Sequence, residues 1–329
     1  MKRNRGYILI LILWIIVISN IIFLSMYNSI LLENKISLNY MNKKENNQIF
    51  LSGLNYAIAI LKSDDNNFDS LNEKWAKKKR LNYSEYSYDV SISDLSKINI
   101  NYTNVNILKN LKFWKKESSK KLKDNRFLKN SYEISMLFPK NFNFFTIYGE
   151  FNINFDSLES LKLLLKKLKL NEMDIKYAIT LISKNRSNSN IKDLKELRKI
   201  LKPLHLSDSF YEKFEKFITF SGNFNINTIS KENFELLFKS NALLPLSSYK
   251  NKIWDFKLNN SIEKIKDFDN KFIVPIKYIN LLESVFSVRT KYYLVKINYN
   301  NNIATAVLRK KKIKDKEYEI SILNYYQEK

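Results

Sequence analysis

One uninterrupted apolar run near the N-terminus limits the fold more than any other feature. Residues 7–24 carry no charge, and Ser19 and Asn20 are the polar residues among them apart from Tyr7. A helix rises about 1.5 Å per residue, so roughly 20 residues cross the ~30 Å hydrocarbon layer of a bilayer. Extended by Ser25 and Met26, the run predicts one transmembrane helix over residues 7–26.

The charges on either side of this run predict its orientation. Lys2, Arg3 and Arg5 precede it, whereas the first charges after it, Glu33 and Lys35, cancel each other. Positively charged flanks stay on the cytoplasmic side of a membrane. We therefore expect a cytoplasmic N-terminus and a folded part on the other side of the membrane.

The rest of the chain has the composition of a folded protein. Hydrophobic residues make up 45% of the 329 residues, which is enough for a core. Only 4 Gly and 4 Pro are present, and this scarcity favours helices joined by short polar connections. At roughly 100–200 residues per domain, one large or two modest domains are expected.

Few residues suit catalysis. The chain has no Cys, which excludes thiolate metal sites and Cys nucleophiles, and a His-dependent triad would have to use the single histidine, His205. His205 follows Pro203 and precedes a predicted helix start at Ser207, where we expect a partly buried loop histidine. No Gly-rich phosphate loop occurs either. The sequence therefore predicts that the protein is not an enzyme.

The formal net charge of +23 permits two interpretations. A strongly basic protein often binds nucleic acid or an anionic membrane, and the basic run from Lys77 to Arg80 would suit either partner. The chain is also crowded with Lys, Asn, Ile, Phe and Tyr, which an AT-rich genome favours. This drift would raise the charge without any partner, and the sequence leaves both interpretations open.

Periodic patterns predict a head made of helices and strands. Residues 27–62 continue the N-terminal helix, with one face formed by Ile49, Gly53, Tyr56 and Ile60. Residues 115–135 lack a clear pattern, and we treat them as an insertion. A hairpin turn is expected over residues 298–301. Alternating patterns predict strands over residues 86–93, 285–297, 302–309 and 318–323.

A short repeat brackets a helical stretch. Residues 149–154 (Gly-Glu-Phe-Asn-Ile-Asn) recur as residues 222–227 (Gly-Asn-Phe-Asn-Ile-Asn). Each copy predicts a short strand that leads into a helix capped by Ser157 or Ser230, because Ser caps helix starts and Asn tolerates left-handed backbone. A ligand-binding role for these Asn residues is the alternative. Between the copies, four apolar stripes at helical spacing predict a small all-helical domain.

The start of the chain resembles the leader junction of type IV pilins and pseudopilins, in which a basic leader and a glycine precede an apolar helix. Gly6 lies directly before the apolar run. The resemblance implies that a prepilin peptidase cleaves after Gly6 and that Tyr7 becomes the methylated N-terminus. The fifth mature residue would be Leu11, where most of the family has Glu. The K-type minor pseudopilins of type II secretion lack this Glu, and Trp14 is also similar to that branch.

Three motifs of the head resemble the same branch and occur in its order. Residues 97–101 (Lys-Ile-Asn-Ile-Asn) are similar to its Gly-Lys-Ile-Asn-Leu-Asn, and residues 225–228 (Asn-Ile-Asn-Thr) to its Val-Asn-Val-Asn-Thr. Residues 286–293 (Phe-Ser-Val-Arg-Thr-Lys-Tyr-Tyr) are similar to its Phe-Ser-Val-Arg-Ser-x-Tyr-Phe. Two departures remain: Asp94 alone replaces an Asp-Glu pair, and residues 102–148 have no counterpart.

The resemblance implies an α+β fold in which a long N-terminal helix, half transmembrane and half packed on the head, carries a pseudopilin-like antiparallel sheet with an inserted all-helical domain. The expected segments are a leader peptide, the transmembrane helix, the helix continuation with the first part of the head, the inserted helical domain, and the second part of the head with the C-terminal strands. The leader peptide covers residues 1–6 and the transmembrane helix residues 7–26. The helix continuation with the first part of the head covers residues 27–154, the inserted helical domain residues 155–221, and the second part of the head residues 222–329.

The implied function is that of a minor pseudopilin at the tip of the type II secretion pseudopilus, which supports protein export across the outer membrane. The protein would be single-pass in the inner membrane with a periplasmic head. Its implied partners are the I- and J-type minor pseudopilins, the prepilin peptidase, the inner-membrane secretion platform and secreted cargo. A signal-anchored, pilin-like protein that binds nucleic acid or takes up DNA is the alternative.

No cofactor is required by this function, but the resemblance raises calcium. Relatives can bind Ca²⁺ in the head, and Asp255, Asp267 and Asp269 are the candidate oxygen ligands in this sequence. Ca²⁺, however, needs roughly six to eight oxygen ligands. Surface acids in a loop are the alternative interpretation.

Overall fold

The computed structural model describes residues 4–111, 113–124, 127–240, 243–314 and 317–328. Its longest element is helix α1 (Asn4–Ser63), which at 1.5 Å per residue is about 90 Å long. Isoleucine favours strands in water, but in lipid a single segment satisfies its backbone groups only as a helix. The predicted continuation of the N-terminal helix as far as residue 62 is confirmed.

The remaining elements mix helices and strands, which confirms the α+β class. The strands are β1 (Lys79–Tyr83), β2 (Tyr86–Asp94), β3 (Ile98–Asn99), β4 (Phe145–Thr146), β5 (Phe151–Asn152), β6 (Ile218–Thr219), β7 (Phe224–Asn225), β8 (Phe286–Ser287), β9 (Tyr292–Tyr299), β10 (Asn302–Lys314) and β11 (Glu317–Glu328). The helices after α1 are α2 (Val105–Leu108), α3 (Lys116–Asp124), α4 (Ser131–Leu137), α5 (Leu158–Lys167), α6 (Glu172–Asn188), α7 (Leu194–Ile200), α8 (Asp208–Glu215), α9 (Lys231–Phe238), α10 (Lys250–Asn259), α11 (Asp267–Asn270) and α12 (Ile279–Val285).

Five strands form one antiparallel sheet in the order β1-β2-β9-β10-β11, and α1 packs on one face of it. Successive side chains of a strand point to opposite faces, so alternate residues meet the helix. At the contact, a Cβ added to Gly53 would lie 3.0 Å from the Ile297 side chain, which places helix and sheet very close together. The predicted face is buried at Ile49 and Gly53, whereas Tyr56 and Ile60 are only half-buried. The main buried residues are Ile49, Phe50, Leu54, Ala57, Leu61, Tyr88, Val90, Ile92, Tyr293, Val295, Ile297, Ala304, Ala306 and Leu308.

The hairpin between β9 and β10 confirms the predicted turn. Tyr299 lies opposite Asn302, so the loop consists of two residues. Those residues, Asn300 and Asn301, have φ angles of 46° and 63°. A two-residue loop with positive φ at both positions matches the right-handed twist of its strands, and Asn tolerates this backbone. β11 is longer than predicted because β10 pairs with it over nearly its whole length.

Three units of similar architecture lie between β2 and β9. The first unit (residues 98–147), the second unit (residues 151–220) and the third unit (residues 224–288) each begin with a two-residue strand and end with a strand parallel to it. A parallel pair needs a crossover of a dozen or more residues, which the helices supply. Residues 115–135, treated as an insertion, contribute α3 and part of α4 to the first unit.

Each unit is closed by its own pair of Asn residues, which lie two positions apart in the sequence. The side-chain oxygen of the first Asn accepts the backbone N–H of the second at 3.0, 2.9 and 2.9 Å, in the pairs Asn99–Asn101, Asn152–Asn154 and Asn225–Asn227. The side chain of the second Asn then bonds both the N–H and the C=O of one residue further along its unit: Asn101 with Leu128, Asn154 with Ile191, and Asn227 with Ile262. These contacts give the repeated Asn residues a structural role, rather than the ligand-binding one considered as the alternative.

Helix caps and cores complete the units. Ser157 and Ser230 accept backbone N–H groups at the starts of α5 and α9, as predicted. The second unit has its own core, formed by the predicted stripes of α5 to α8 together with Tyr102 and the flanking strands. The first and third units instead share one core, which extends from Ile98 to Phe286. The head therefore contains three hydrophobic cores within the residues that the structure describes.

Candidate functional site

The N-terminal half of α1 projects away from the head. From Ile12 to Lys44, every side chain except that of Ser19 is exposed, and Trp14 is 62% exposed. Within the described residues, α1 is the one helix long and apolar enough to cross a membrane. So much apolar surface is unstable in water and calls for lipid or another protein around it.

The predicted processing residues lie at the beginning of this helix. Gly6, Tyr7 and Leu11 belong to the first turns of α1, and their side chains lie outside the part of the chain that the structure describes. Cleavage after Gly6 and methylation of Tyr7 stay predictions. The backbone places Leu11 and Trp14 three positions apart, which is one face of a helix.

α1 makes a polar contact with the head just before its buried face begins. The Tyr299 hydroxyl donates to Glu45 Oε1 at 2.6 Å, and the ring of Tyr86 contacts that of Tyr299 edge-on at 5.7 Å. These tyrosines lie beside the β1–β2 and β9–β10 turns. This end of the sheet therefore faces the apolar half of α1, and the opposite end lies beside Ser63, where α1 stops.

Three carboxylates gather at that opposite end. Oxygens of Asp64, Asp69 and Glu73 lie within 4.8 Å of one another. The Lys310 ammonium lies 2.8 Å from Asp64 Oδ2 and 3.9 Å from Asp69 Oδ1, and its side chain is only 5% exposed. Burial raises the pKa of Asp69 to about 7, although Lys310 and a backbone N–H donated by Thr290 act in the opposite direction. The cluster thus sets one ammonium against three carboxylates, and burial favours the neutral form of Asp69.

The predicted calcium ligands are not part of this cluster. Asp255 lies on α10, while Asp267 and Asp269 lie on α11, where Asp267 Oδ2 accepts the N–H of Lys264 at 2.9 Å. The cluster itself fits Ca²⁺ poorly, because the Lys310 ammonium lies against Asp64 and Asp69 and already supplies a positive charge there. Calcium binding stays a prediction without a set of ligands brought together among the described residues.

A cleft of about 680 Å³ opens next to the cluster. One wall is the β10–β11 hairpin, including Lys311 and Tyr318, which reaches beyond the start of β9. The opposite wall is α8 with the strand that follows it, including Glu212 and Lys216. The floor is the connection between the third unit and β9, around Thr290. The cleft is therefore lined by residues of both the sheet and the second unit.

Charges at the bottom of the cleft are paired. Glu150 Oε2 lies 2.9 Å from Lys291 Nζ, and Glu150 Oε1 accepts from Arg309. Lys291 Nζ also donates to Thr219 Oγ1 at 2.8 Å. One carboxylate thus serves two cations, which leaves one positive charge in excess. At the rim, Lys216 and Lys311 are exposed, and the described contacts give neither of them a carboxylate partner.

Two features singled out in the sequence carry no site. His205 is exposed, not partly buried as expected, because it ends a 3-10 turn with a left-handed backbone at φ 48° and points away from the second unit's core. The basic run Lys77 to Arg80 is exposed, and within it Lys78 pairs with Asp89 at 2.7 Å. Exposed pairs of this kind contribute about 0–1 kcal/mol.

Sequence reasoning missed the cleft. Its signal in the sequence is the run Arg309–Lys312, four consecutive cations inside a strand pattern. Alternation sends neighbouring strand residues to opposite faces, so such a run is not simply a solvated edge. Lys310 indeed turns inward to Asp64, while Arg309 reaches Glu150.

Some solved structures are similar to this chain. A chain of the crystal structure of the GspK-GspI-GspJ complex, from the type 2 secretion system of enterotoxigenic Escherichia coli, is similar over 88% of this chain and 99% of its own length. The sequence identity is 13% and the TM-score is 0.38. No protein-family model matches the chain, and no curated protein matches it.

Proposed function

We propose that the chain is a K-type minor pseudopilin at the tip of the type II secretion pseudopilus, where it supports protein export across the outer membrane. The observation that carries the proposal is the contact between two of its family-like motifs. Asn225 Nδ2 donates to Thr290 Oγ1 at 2.9 Å and to Asp69 O at 3.0 Å. Two segments that resemble motifs of the family thus contact each other. They do so where the third unit, the sheet and the segment after α1 come together.

The third motif supports the same assignment. Residues 97–101 include β3, the opening strand of the first unit, and residues 225–228 begin with the last residue of β7, the opening strand of the third unit. Residues 286–293 close the third unit through β8 and enter the sheet through β9. Within them, Arg289 donates to the carbonyl oxygen of Asn67 at 2.8 Å, just after α1. The motifs therefore occupy junctions that define the head.

The apolar half of α1 supports an assembly role. In a bilayer its exposed surface would be covered by lipid, and in a filament by neighbouring helices of similar polarity, so the transfer changes little hydrophobic free energy. Leu11 cannot pair with the N-terminal amine of a subunit above it, as a Glu at this position would. This suits a subunit that has nothing above it.

Location and partners follow from the same proposal. The N-terminus would lie in the cytoplasm and the head in the periplasm, with one span of the inner membrane. The I- and J-type minor pseudopilins would be the neighbours in the filament. The prepilin peptidase would process the chain, and the inner-membrane platform would assemble it. The head would contact secreted cargo, and its mechanism would be assembly without chemistry.

The state of the N-terminus tests this proposal. The full chain would be expressed with and without a prepilin peptidase, and its N-terminus would be read by mass spectrometry. We expect a chain that starts at methylated Tyr7 only when the peptidase is present. Gly6→Leu should abolish cleavage, whereas the matched change Ser29→Leu, at an exposed position of the same helix, should not. Intact Met1 in the presence of active peptidase, or a cut beyond Met26, would contradict the proposal.

A second candidate function is nucleic-acid binding, which the net charge of +23 favours. Binding through phosphate contacts weakens steeply with salt, because condensed counterions are released. The full chain in detergent would be titrated with duplex DNA at about 50 and about 200 mM salt. Steeply salt-dependent binding would support this function, and lack of binding at the lower salt would exclude it.

A further inference from the structure

We infer that the cleft between the β10–β11 hairpin and α8 binds an extended acidic segment of a partner protein. The cleft lies at the end of the head beside Ser63, about 55 Å along α1 from the end of the apolar run at Met26. This inference goes beyond the proposed function and does not require cleavage at Gly6.

The charge of the cleft selects an anionic ligand. Seven Lys or Arg residues line it, against four Asp or Glu residues. Two of the four acids, Asp69 and Glu150, are already engaged with cations of the cleft. Burial also favours the neutral form of Asp69, since it raises the pKa of this carboxyl to about 7. Among the remaining cations, Lys216 and Lys311 are exposed, and the described contacts give neither of them a carboxylate partner.

The size of the cleft selects a short segment. Ligand pockets have volumes of roughly 300–1,000 Å³, and the 680 Å³ measured here lies within that range. A folded surface cannot enter such a space, but an extended chain can, with successive side chains pointing to opposite walls. Phe220 and Tyr318 add apolar surface for the backbone and the side-chain methylenes of the bound segment.

The acidic residues on the α8 wall favour a peptide over nucleic acid. Glu212 and Glu215 line that wall and are exposed. They would repel a continuous row of phosphates, and nucleic-acid interfaces are much more positively charged than protein–protein interfaces. A peptide carries its carboxylates at intervals and also has backbone N–H groups. These groups can donate hydrogen bonds to Glu212 and Glu215. Mixed charges of this kind give specificity and fast association.

The test measures binding of fluorescein-labelled hexaglutamate to the full chain in detergent by fluorescence polarisation. Lys216→Glu with Lys311→Glu should weaken binding at least tenfold, because two exposed cations become anions. The matched control Lys79→Glu with Lys184→Glu makes the same charge change at exposed positions outside the cleft and should weaken binding no more than about threefold through long-range screening. Equal losses in the two double variants would overturn the inference.

A gain of binding provides a test that misfolding cannot imitate. Glu212→Gln with Glu215→Gln should tighten hexaglutamate binding severalfold and should weaken binding of hexalysine. Oligothymidylate that binds more tightly than hexaglutamate, with the same dependence on Lys216 and Lys311, would overturn the inference in favour of nucleic acid. Full competition by inorganic phosphate at equal concentration would overturn it in favour of a small-anion site. The N-terminal mass is read separately, so failure here leaves the proposed function intact.

Discussion

Asn227 holds both backbone polar groups of Ile262, 35 residues further along the chain. Its Nδ2 donates to the Ile262 carbonyl at 2.9 Å, and its Oδ1 accepts the Ile262 N–H at 2.9 Å. Asn227 is 8% exposed and Ile262 is completely buried. Water therefore cannot readily replace these bonds, and an amide, with a donor and an acceptor side by side, is the side chain that satisfies both groups.

Asn227→Ala should therefore destabilise the head by about 2–4 kcal/mol, because it leaves a buried N–H and a buried C=O without partners. Asn227→Asp keeps the acceptor but loses the donor, and it should also destabilise the fold. Denaturant unfolding of the full chain in detergent would measure both. Asn259→Ala, at an exposed position that bonds only within α10, should change stability by less than about 0.5 kcal/mol. Equal effects at the two positions would contradict this account of unit closure.

Gly222 should tolerate no side chain. A Cβ at this position would lie 2.3 Å from the backbone N and C atoms of Phe286. Neither backbone segment can move away without breaking the third unit. We expect Gly222→Ala to cost at least about 4 kcal/mol or to prevent folding. Gly53→Ala is the matched control, since its Cβ would meet only the Ile297 side chain at 3.0 Å and the helix gains about 1 kcal/mol from Ala. Thermal unfolding that ranks the two variants in the opposite order would disprove the close approach.

Asp69 should make stability depend on pH. Its pKa is about 7 in the folded protein against an ordinary value of 3.8, so the folded state binds the proton more tightly. The stability that this tighter proton binding adds to the fold is fully present below about pH 4 and is lost as the pH rises to about 7. Asp69→Asn cannot ionise. The unfolding free energy of the Asp69→Asn variant, measured relative to that of the wild type, should therefore rise by about 2–3 kcal/mol between pH 5 and pH 8.

The control for this pH effect is Asp89→Asn, which removes a carboxylate from an exposed pair with Lys78 on the same sheet. Its unfolding free energy relative to wild type should stay nearly flat over the same range of pH. Parallel pH curves for the two variants would show that the burial of Asp69 does not control the effect.

Glycine at position 301 should make the head more stable than the Asn301 that is present. Its φ of 63° lies in the left-handed region that favours Gly at the second position of a two-residue hairpin loop. We expect Asn301→Gly to stabilise the head by about 0.3–1 kcal/mol and Asn301→Val to destabilise it by about 1–2 kcal/mol. Asn298→Gly, inside β9, should instead lose about 0.5–1 kcal/mol. Chemical denaturation that stabilises the Asn298 variant and not the Asn301 variant would refute this turn geometry.

Local patterns predicted the elements that depend on neighbouring residues. Ser157 and Ser230 signalled helix starts because capping involves only the next three residues. The Asn300–Asn301 loop was readable for the same reason. The burial of His205 was predicted wrongly, since whether a loop residue points at a core depends on which helices surround it.

The candidate site was predictable only in part. The exposed apolar half of α1 follows from hydropathy, whereas the cleft needs residues that are far apart in sequence, such as Glu150 and Arg309. The first unit was also missed as a repeat of the other two. Its Asn99–Asn101 pair has the same bonds as the others, but the helices that follow have different lengths and hide the likeness.

By itself the sequence determined the apolar helix, the α+β class and the local turns and caps, because each depends on hydropathy or on a few consecutive residues. The tertiary structure alone decided that three Asn pairs close three units, that Lys310 is buried against Asp64, and that residues of the sheet and of the second unit line one charged cleft. Those features depend on which distant backbone groups lose water together. That outcome is fixed by the collapse of the whole head around its cores and by no single segment.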